Sequence, residues 1–138
     1  MRAPWEKFSL PRDGGAYATG RSAEFVRTMR QTFGPLVERV AKFPSGRHVW
    51  LMAEVPSEGS LSSFFSDLEK RLAPAGALWV VFPKKPFIAE LQFPFLWIDV
   101  QKAGLSAGLV DNKIAAFSPR LTSIRFVVPV ARRKGRPA

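Results

Sequence analysis

The sequence predicts an α/β fold, a small mixed sheet of about four strands flanked by helices, on three observations. Residues 77–82, Ala-Leu-Trp-Val-Val-Phe, are an unbroken apolar run stopped by Pro83, Lys84 and Lys85, the pattern of a strand buried on both faces. Before it, Leu61, Phe64, Phe65, Leu68 and Leu72 recur at helical spacing after Ser60, a residue suited to cap a helix. After it, Ile124, Phe126 and Val128 alternate with Ser123, Arg125 and Val127, the period of a strand with one better-buried face.

In chain order, residues 1–21 show no periodicity and include Pro4, Pro11, Gly14, Gly15 and Gly20, so they read as a flexible lead-in. A phosphate-cradling loop at these glycines would need a buried strand ahead of it, and the sequence shows none there. Residues 22–46 read as a broken helical arm. Ser22 caps it, Phe25, Val26, Met29 and Phe33 form its stripe, Gly34 and Pro35 interrupt it, and Leu36, Val37 and Val40 resume it. Its other face carries Arg27, Arg30, Arg39 and Lys42, the composition of a solvated face or of an anion-binding one.

Residues 47–130 are the expected α/β domain. Residues 47–54 read as a strand joined to 77–82 by the helix between them, a right-handed βαβ crossover with parallel strands. An aromatic loop at 86–93 leads to a helix from Pro94, with Leu96, Trp97, Val100, Ala103 and Ala107 inward and Gly108 at its end. Strands around 110–117 and 121–130 then close the sheet as an antiparallel pair. In a four-stranded sheet 47–54 lies at an edge, to be covered by the N-terminal helices or by a second copy. Residues 131–138 are a basic tail.

Composition narrows the chemistry. With 138 residues the chain suits one domain with loose ends. It has no cysteine, which excludes disulfides, thiolate catalysis and thiolate metal sites. His48 is the single histidine, so neither a histidine metal site nor a histidine-based triad has its partners, and no metal or cofactor is expected. The N-terminus lacks a signal-type apolar run and no stretch reaches eighteen apolar residues, which predicts a soluble, cytoplasmic protein without membrane contact. The net charge of +10 is uneven: residues 48–130 hold eight Lys and Arg against seven Asp and Glu, whereas residues 131–138 hold four against none. Excess charge at the ends speaks to partners and solubility, not to fold.

Three blocks carry a resemblance. Residues 72–85, with Leu-Trp-Val running into Pro-Lys-Lys, residues 107–116, with Gly-Leu-Val-Asp-Asn-Lys, and residues 121–127, with Arg-Phe-Val, resemble a bacterial family catalogued as domain of unknown function 3052. The resemblance covers roughly residues 47–130 and implies a small α/β domain without an assigned activity. The same stretch is similar, more weakly, to the C-terminal half of class I methyltransferases, a Rossmann-like arrangement. That resemblance implies that S-adenosylmethionine would be held by an N-terminal half, through a glycine loop after the first strand and an acidic residue ending the second. Ahead of Arg47 the sequence leaves no room for such a half, so the expected product is a truncated scaffold.

The candidate ligand site is Lys84 and Lys85, just past a central strand where open α/β sheets bind ligands, joined by Lys113 and Arg120 from later loops as a small anion pocket. A solvated loop is the simpler account of the same residues. Glu54 ends a strand and is a possible ion-pair partner of Lys84 and Lys85. Arg132, Arg133, Lys134 and Arg136 can neutralise phosphates without reading a base sequence. No set of residues specifies a reaction. The expected function is therefore a non-enzymatic binding or interaction module, with a protein partner or a second copy. The alternative is nucleic acid or another anion bound through Lys84, Lys85 and the basic ends, and the third reading is a residual methyltransferase-like activity.

Overall fold

The computed structural model describes residues 3–133. In chain order it contains α1 (Pro4–Lys7), β1 (Ala16–Thr19), α2 (Ala23–Thr28), β2 (Glu38–Arg39), β3 (His48–Glu54), α3 (Leu61–Glu69), β4 (Leu72–Pro83), α4 (Trp97–Ser106), β5 (Val110–Ala116), β6 (Leu121–Val127) and α5 (Val130–Arg133). The strands form one mixed sheet in the order β2-β1-β3-β4-β6-β5. The first four of these are parallel neighbours, and β6 joins β4 and β5 antiparallel.

The α/β class, the β3-α3-β4 crossover and the closing antiparallel pair are as the sequence predicts. The strand count is six rather than four. Both added strands arise from segments expected to be a lead-in and a helical arm. β1 has only four residues, and its buried side chains are Ala16 and Ala18, too small to give a hydrophobic period. It forms because both its edges are paired, to β2 and to β3. β3 is therefore interior, and the sheet edges are β2 and β5.

The arm's helical stripe is real but bends. Ser22 caps α2 by accepting from Phe25 N at 3.1 Å. A π turn at Met29–Phe33 follows, and Gly34, at φ 53°, breaks the helix. In the C-terminal half, α4 begins at Trp97 rather than Pro94, because Asp99 accepts from Leu96 N at 2.8 Å and so caps that turn. Leu96, expected inward, is 57% exposed. Gly104 faces Phe126 so closely that a Cβ would sit 2.2 Å from the ring, which brings α4 down onto β6.

The sheet is buried on both faces, as the run in β4 requires. On one face Leu78, Val80 and Phe82 meet Phe65, Leu68 and Val100 of α3 and α4. On the other, Trp79 and Val81 meet Phe25, Met29 and Phe33 of the N-terminal arm, together with Phe8. Phe8 is 2% exposed, and its carbonyl accepts from both indoles, Trp50 Nε1 at 2.8 Å and Trp79 Nε1 at 3.0 Å. Two buried indole N–H groups thereby find one acceptor, and the N-terminal segment is fastened to the sheet. Among the described residues no helix is long and apolar enough to cross a membrane.

Candidate functional site

From β1 the chain moves outward to β2 and then returns to β3 on the other side of β1. This reversal makes the C-terminal ends of β1 and β3 a topological switch point, where connecting loops diverge and leave a crevice. A cleft of about 760 Å³ opens there. Thr19 to Glu24 follow β1 into it, Glu54 to Glu58 follow β3, and Pro83 ends β4 beside them. Phe64, Leu91, Phe93 and Leu121 supply apolar walls, and Arg120 comes from the turn between β5 and β6.

Two internal carboxylates organise the cleft. Glu54, at the end of β3, accepts from Arg21 N at 2.9 Å and Ser22 N at 3.0 Å through Oε1, and from Ser22 Oγ through Oε2. Its partners are thus the β1–α2 loop rather than Lys84 or Lys85. Glu24, in the first turn of α2, is buried. It accepts from Ser118 Oγ, from Arg120 N at 3.0 Å and from Arg120 Nε at 2.7 Å. Burial alone pushes the Glu24 carboxyl up, but the hydrogen bonds from Ser118 and Arg120 outweigh it and hold the group below its ordinary value. The guanidinium of Arg120 is pushed up in turn by Glu24 and by Glu90, which accepts from Nη1.

The residues singled out from sequence are dispersed. Arg120 lines the cleft, and its carbonyl accepts from Lys84 N at 2.8 Å. Lys84 is half-buried, Lys85 is exposed, and neither side chain lines the cleft. Lys113 is turned to the sheet face that holds Phe8: its Nζ donates to Lys7 O at 2.8 Å and lies 5.9 Å from the Trp79 ring. Arg132 donates to Gly108 O and lies 3.7 Å from Glu69, and Arg133 donates to Val128 O at 3.0 Å. Lys134 and Arg136 lie outside the described residues. His48 is structural, with Nε2 2.8 Å from Pro44 O and the ring packed edge-on against Tyr17. Among the described residues no group of three His, Cys, Asp or Glu can hold a metal.

Sequence reasoning sets Gly20 aside as a loop glycine, reads Ser22 only as a helix cap and passes over Glu24. Their signal was Gly20 directly after Ala-Tyr-Ala-Thr: a strand does precede this glycine, whereas Gly14 and Gly15 lie before the strand.

No known protein family matches the chain by sequence, and no curated protein does, so the resemblance to domain of unknown function 3052 gains no support. Solved structures do match in shape. The N-methyltransferase NodS from Bradyrhizobium japonicum is similar over 90% of this chain and 93% of its own, with a TM-score of 0.58 at 12% identity. A complex between the Haloferax volcanii Trm112 methyltransferase activator and a methyltransferase matches at a TM-score of 0.56, 9% identity, 91% of this chain and 90% of that one. A TehB-like S-adenosylmethionine-dependent methyltransferase from Corynebacterium glutamicum matches at 0.52, 11% identity, 83% and 81%. The fold is that of class I methyltransferases.

The likeness covers about 90% of the chain and so reaches the N-terminal segment, where β1, α2 and β2 precede β3; this corrects the expectation that no room exists ahead of Arg47. The residues of this segment meet the requirements of S-adenosylmethionine only in part. The glycine loop is reduced to Gly20, where a Cβ would lie 2.5 Å from the Phe25 ring and 2.9 Å from Glu54 Cβ, so no side chain is tolerated there and the bare backbone lines the cleft. The loop amides that would face a ligand are taken by Glu54. The second strand is Glu38–Arg39, so an acid, exposed, does stand at its end.

Proposed function

We propose that this chain is a binding module on a methyltransferase fold, one that receives a small molecule in the switch-point cleft and transfers no methyl group. The observation that carries this reading is the Glu54 carboxylate on the Arg21 and Ser22 amides: the protein supplies its own acid where the cofactor would need free loop amides. The cleft beside it remains, and its volume lies within the roughly 300–1,000 Å³ usual for small-ligand sites. We place such a module in the cytoplasm, acting with a protein partner. The Haloferax complex with an activator is a precedent for a protein of this fold working that way. Anion binding through the basic ends has less support, because Arg132 and Arg133 are engaged with the domain's own carbonyls.

A second reading, S-adenosylmethionine-dependent methyl transfer, is supported over a non-enzymatic module by the methyltransferase structures of similar shape, and by the cleft at the switch point of the sheet. Thermal unfolding of the full chain with S-adenosylmethionine and S-adenosylhomocysteine separates the two. A ligand at a hundred times its Kd adds about 2.7 kcal/mol of stability, a rise of several degrees in Tm. No shift with either compound is the expected result. A concentration-dependent rise overturns the binding-module reading in favour of the second.

A further inference from the structure

We propose that the cleft takes a small molecule carrying a carboxylate or phosphate on an apolar or aromatic body, with Arg120 holding the acid in exchange for Glu90. The proposal rests on the reading of the cleft as a small-ligand site. Arg120 is positioned for this on one edge and displaceable on the other. Its Nε and backbone N both donate to Glu24, which is 7% exposed, so the guanidinium is fixed in the cleft wall by a buried partner. Its Nη1 instead donates to Glu90, a side chain 58% exposed on the loop between β4 and α4. Glu90 is not part of the cleft lining, so a ligand's acid would reach the guanidinium from the cleft side and take over the partner role that Glu90 holds from solvent.

The exchange is favourable in principle because the two environments differ. An ion pair reaching into solvent contributes little. An acid inside the cleft meets the same planar guanidinium with its body against Phe64, Leu91 and Phe93, where charge-assisted hydrogen bonds are stronger and apolar surface is removed from water. The lining carries Arg21 and Arg120 against Glu24, Glu54 and Glu58, so the preference for an acid rests on which of these carboxylates are already engaged. Glu24 is already paired with Arg120, and Glu54 is turned onto three donors of the β1–α2 loop. Arg21 adds a second cation to the lining. Leu91 follows Glu90, and backbone hydrogen bonds from Leu91 N to Phe87 O at 3.0 Å and from Phe93 N to Ile88 O at 3.0 Å hold this apolar wall without the Glu90 side chain.

The test is a titration of the isotopically labelled full chain with phenyl phosphate, phenylacetate, benzylamine and benzyl alcohol, followed by NMR at the Arg120 Nε–H and the amides of Thr19, Ser57 and Leu91. Both acids are expected to shift the Arg120 and Leu91 signals to saturation. Glu90→Gln, an exposed substitution, is expected to tighten their binding about two- to fivefold by removing the competitor. Arg120→Gln is expected to abolish it, but it leaves Glu24 without its partner and can unfold the chain, so Glu90→Gln decides. Acids that leave the Arg120 signal unmoved, or an affinity unchanged by Glu90→Gln, overturn the proposal. If benzylamine or benzyl alcohol saturates the cleft amides and the acids do not, the cleft stands as a site and the assignment to Arg120 falls. If no probe moves a cleft amide at millimolar concentration, both readings fall.

Discussion

The two halves of the sheet are built to different standards. β3, β4 and β6 run for 7, 12 and 7 residues and bury Trp50, Leu51, Trp79, Phe82 and Phe126 almost completely. β1 and β2 have 4 and 2 residues, and β1 buries two alanines. The first half can bury enough apolar surface to hold itself together. The second is held by what it borrows: Phe8 between two indoles, Glu24 on the β5–β6 turn and Glu54 on the β1–α2 loop. The cleft lies where the halves meet, as expected if binding sites draw on regions of lower local stability.

That contrast breaks most simply in the strong half. Phe126 is fully buried between Phe65 and Gly104, so Phe126→Ala leaves a cavity that α4 cannot close. The expected cost is about 3–5 kcal/mol. Urea unfolding should show one earlier transition for the whole chain. A variant in which only the C-terminal half loses structure, with β1 and β2 intact, would mean that β1 and β2 do not depend on the strong half.

The same contrast decides what the sequence can reveal. The run 77–82 and the stripe of α3 carry their own period, so β4, α3 and the parallel crossover are legible from local pattern. Ala16 and Ala18 carry none, and Glu38–Arg39 is too short for one; these strands exist through pairing with residues distant in sequence. The site follows the same rule. Arg120 was identifiable as a charged residue in a loop past the sheet, but its partners Glu24 and Glu90 lie 96 and 30 residues away. Glu54 was noticed at a strand end, yet its true partners, Arg21 and Ser22, were hidden in a segment that reads as loose.

A smaller effect sharpens the comparison at the seam. Glu24 ties α2 to Ser118 and Arg120, and its carboxyl is held below the ordinary range, so its contribution is complete at neutral pH. The contribution is lost as pH falls through the ordinary carboxylate value towards the lowered one of the folded state. Glu24→Gln should therefore cost about 1–3 kcal/mol at pH 7, by leaving Arg120 and Ser118 poorly paired, and progressively less in acid. Stability measured from pH 7 down to 3 for both chains checks this. Parallel curves would show that Glu24 does not titrate with folding and that the seam is held by Phe8 instead.

The smallest change belongs to the loop itself. Glu54→Gln keeps one oxygen for the Arg21 and Ser22 amides but loses the charge, at a cost of about 1 kcal/mol. Its effect should be local because Glu54 sits at the very end of β3, beyond the fully buried residues 50–53. Hydrogen exchange is the appropriate measurement, since it reads opening residue by residue. The amides of Arg21 and Ser22 should exchange faster in the variant, while Val80 and Ile124, both fully buried in the strong half, keep their protection. Equal acceleration at Val80 and Ile124 would mean that the halves open as one unit, and the division of labour between a stable half and a borrowed one would fail. Acceleration confined to the loop would mean that the Glu54 contact can open without unfolding the sheet, so a ligand in the cleft could compete with it.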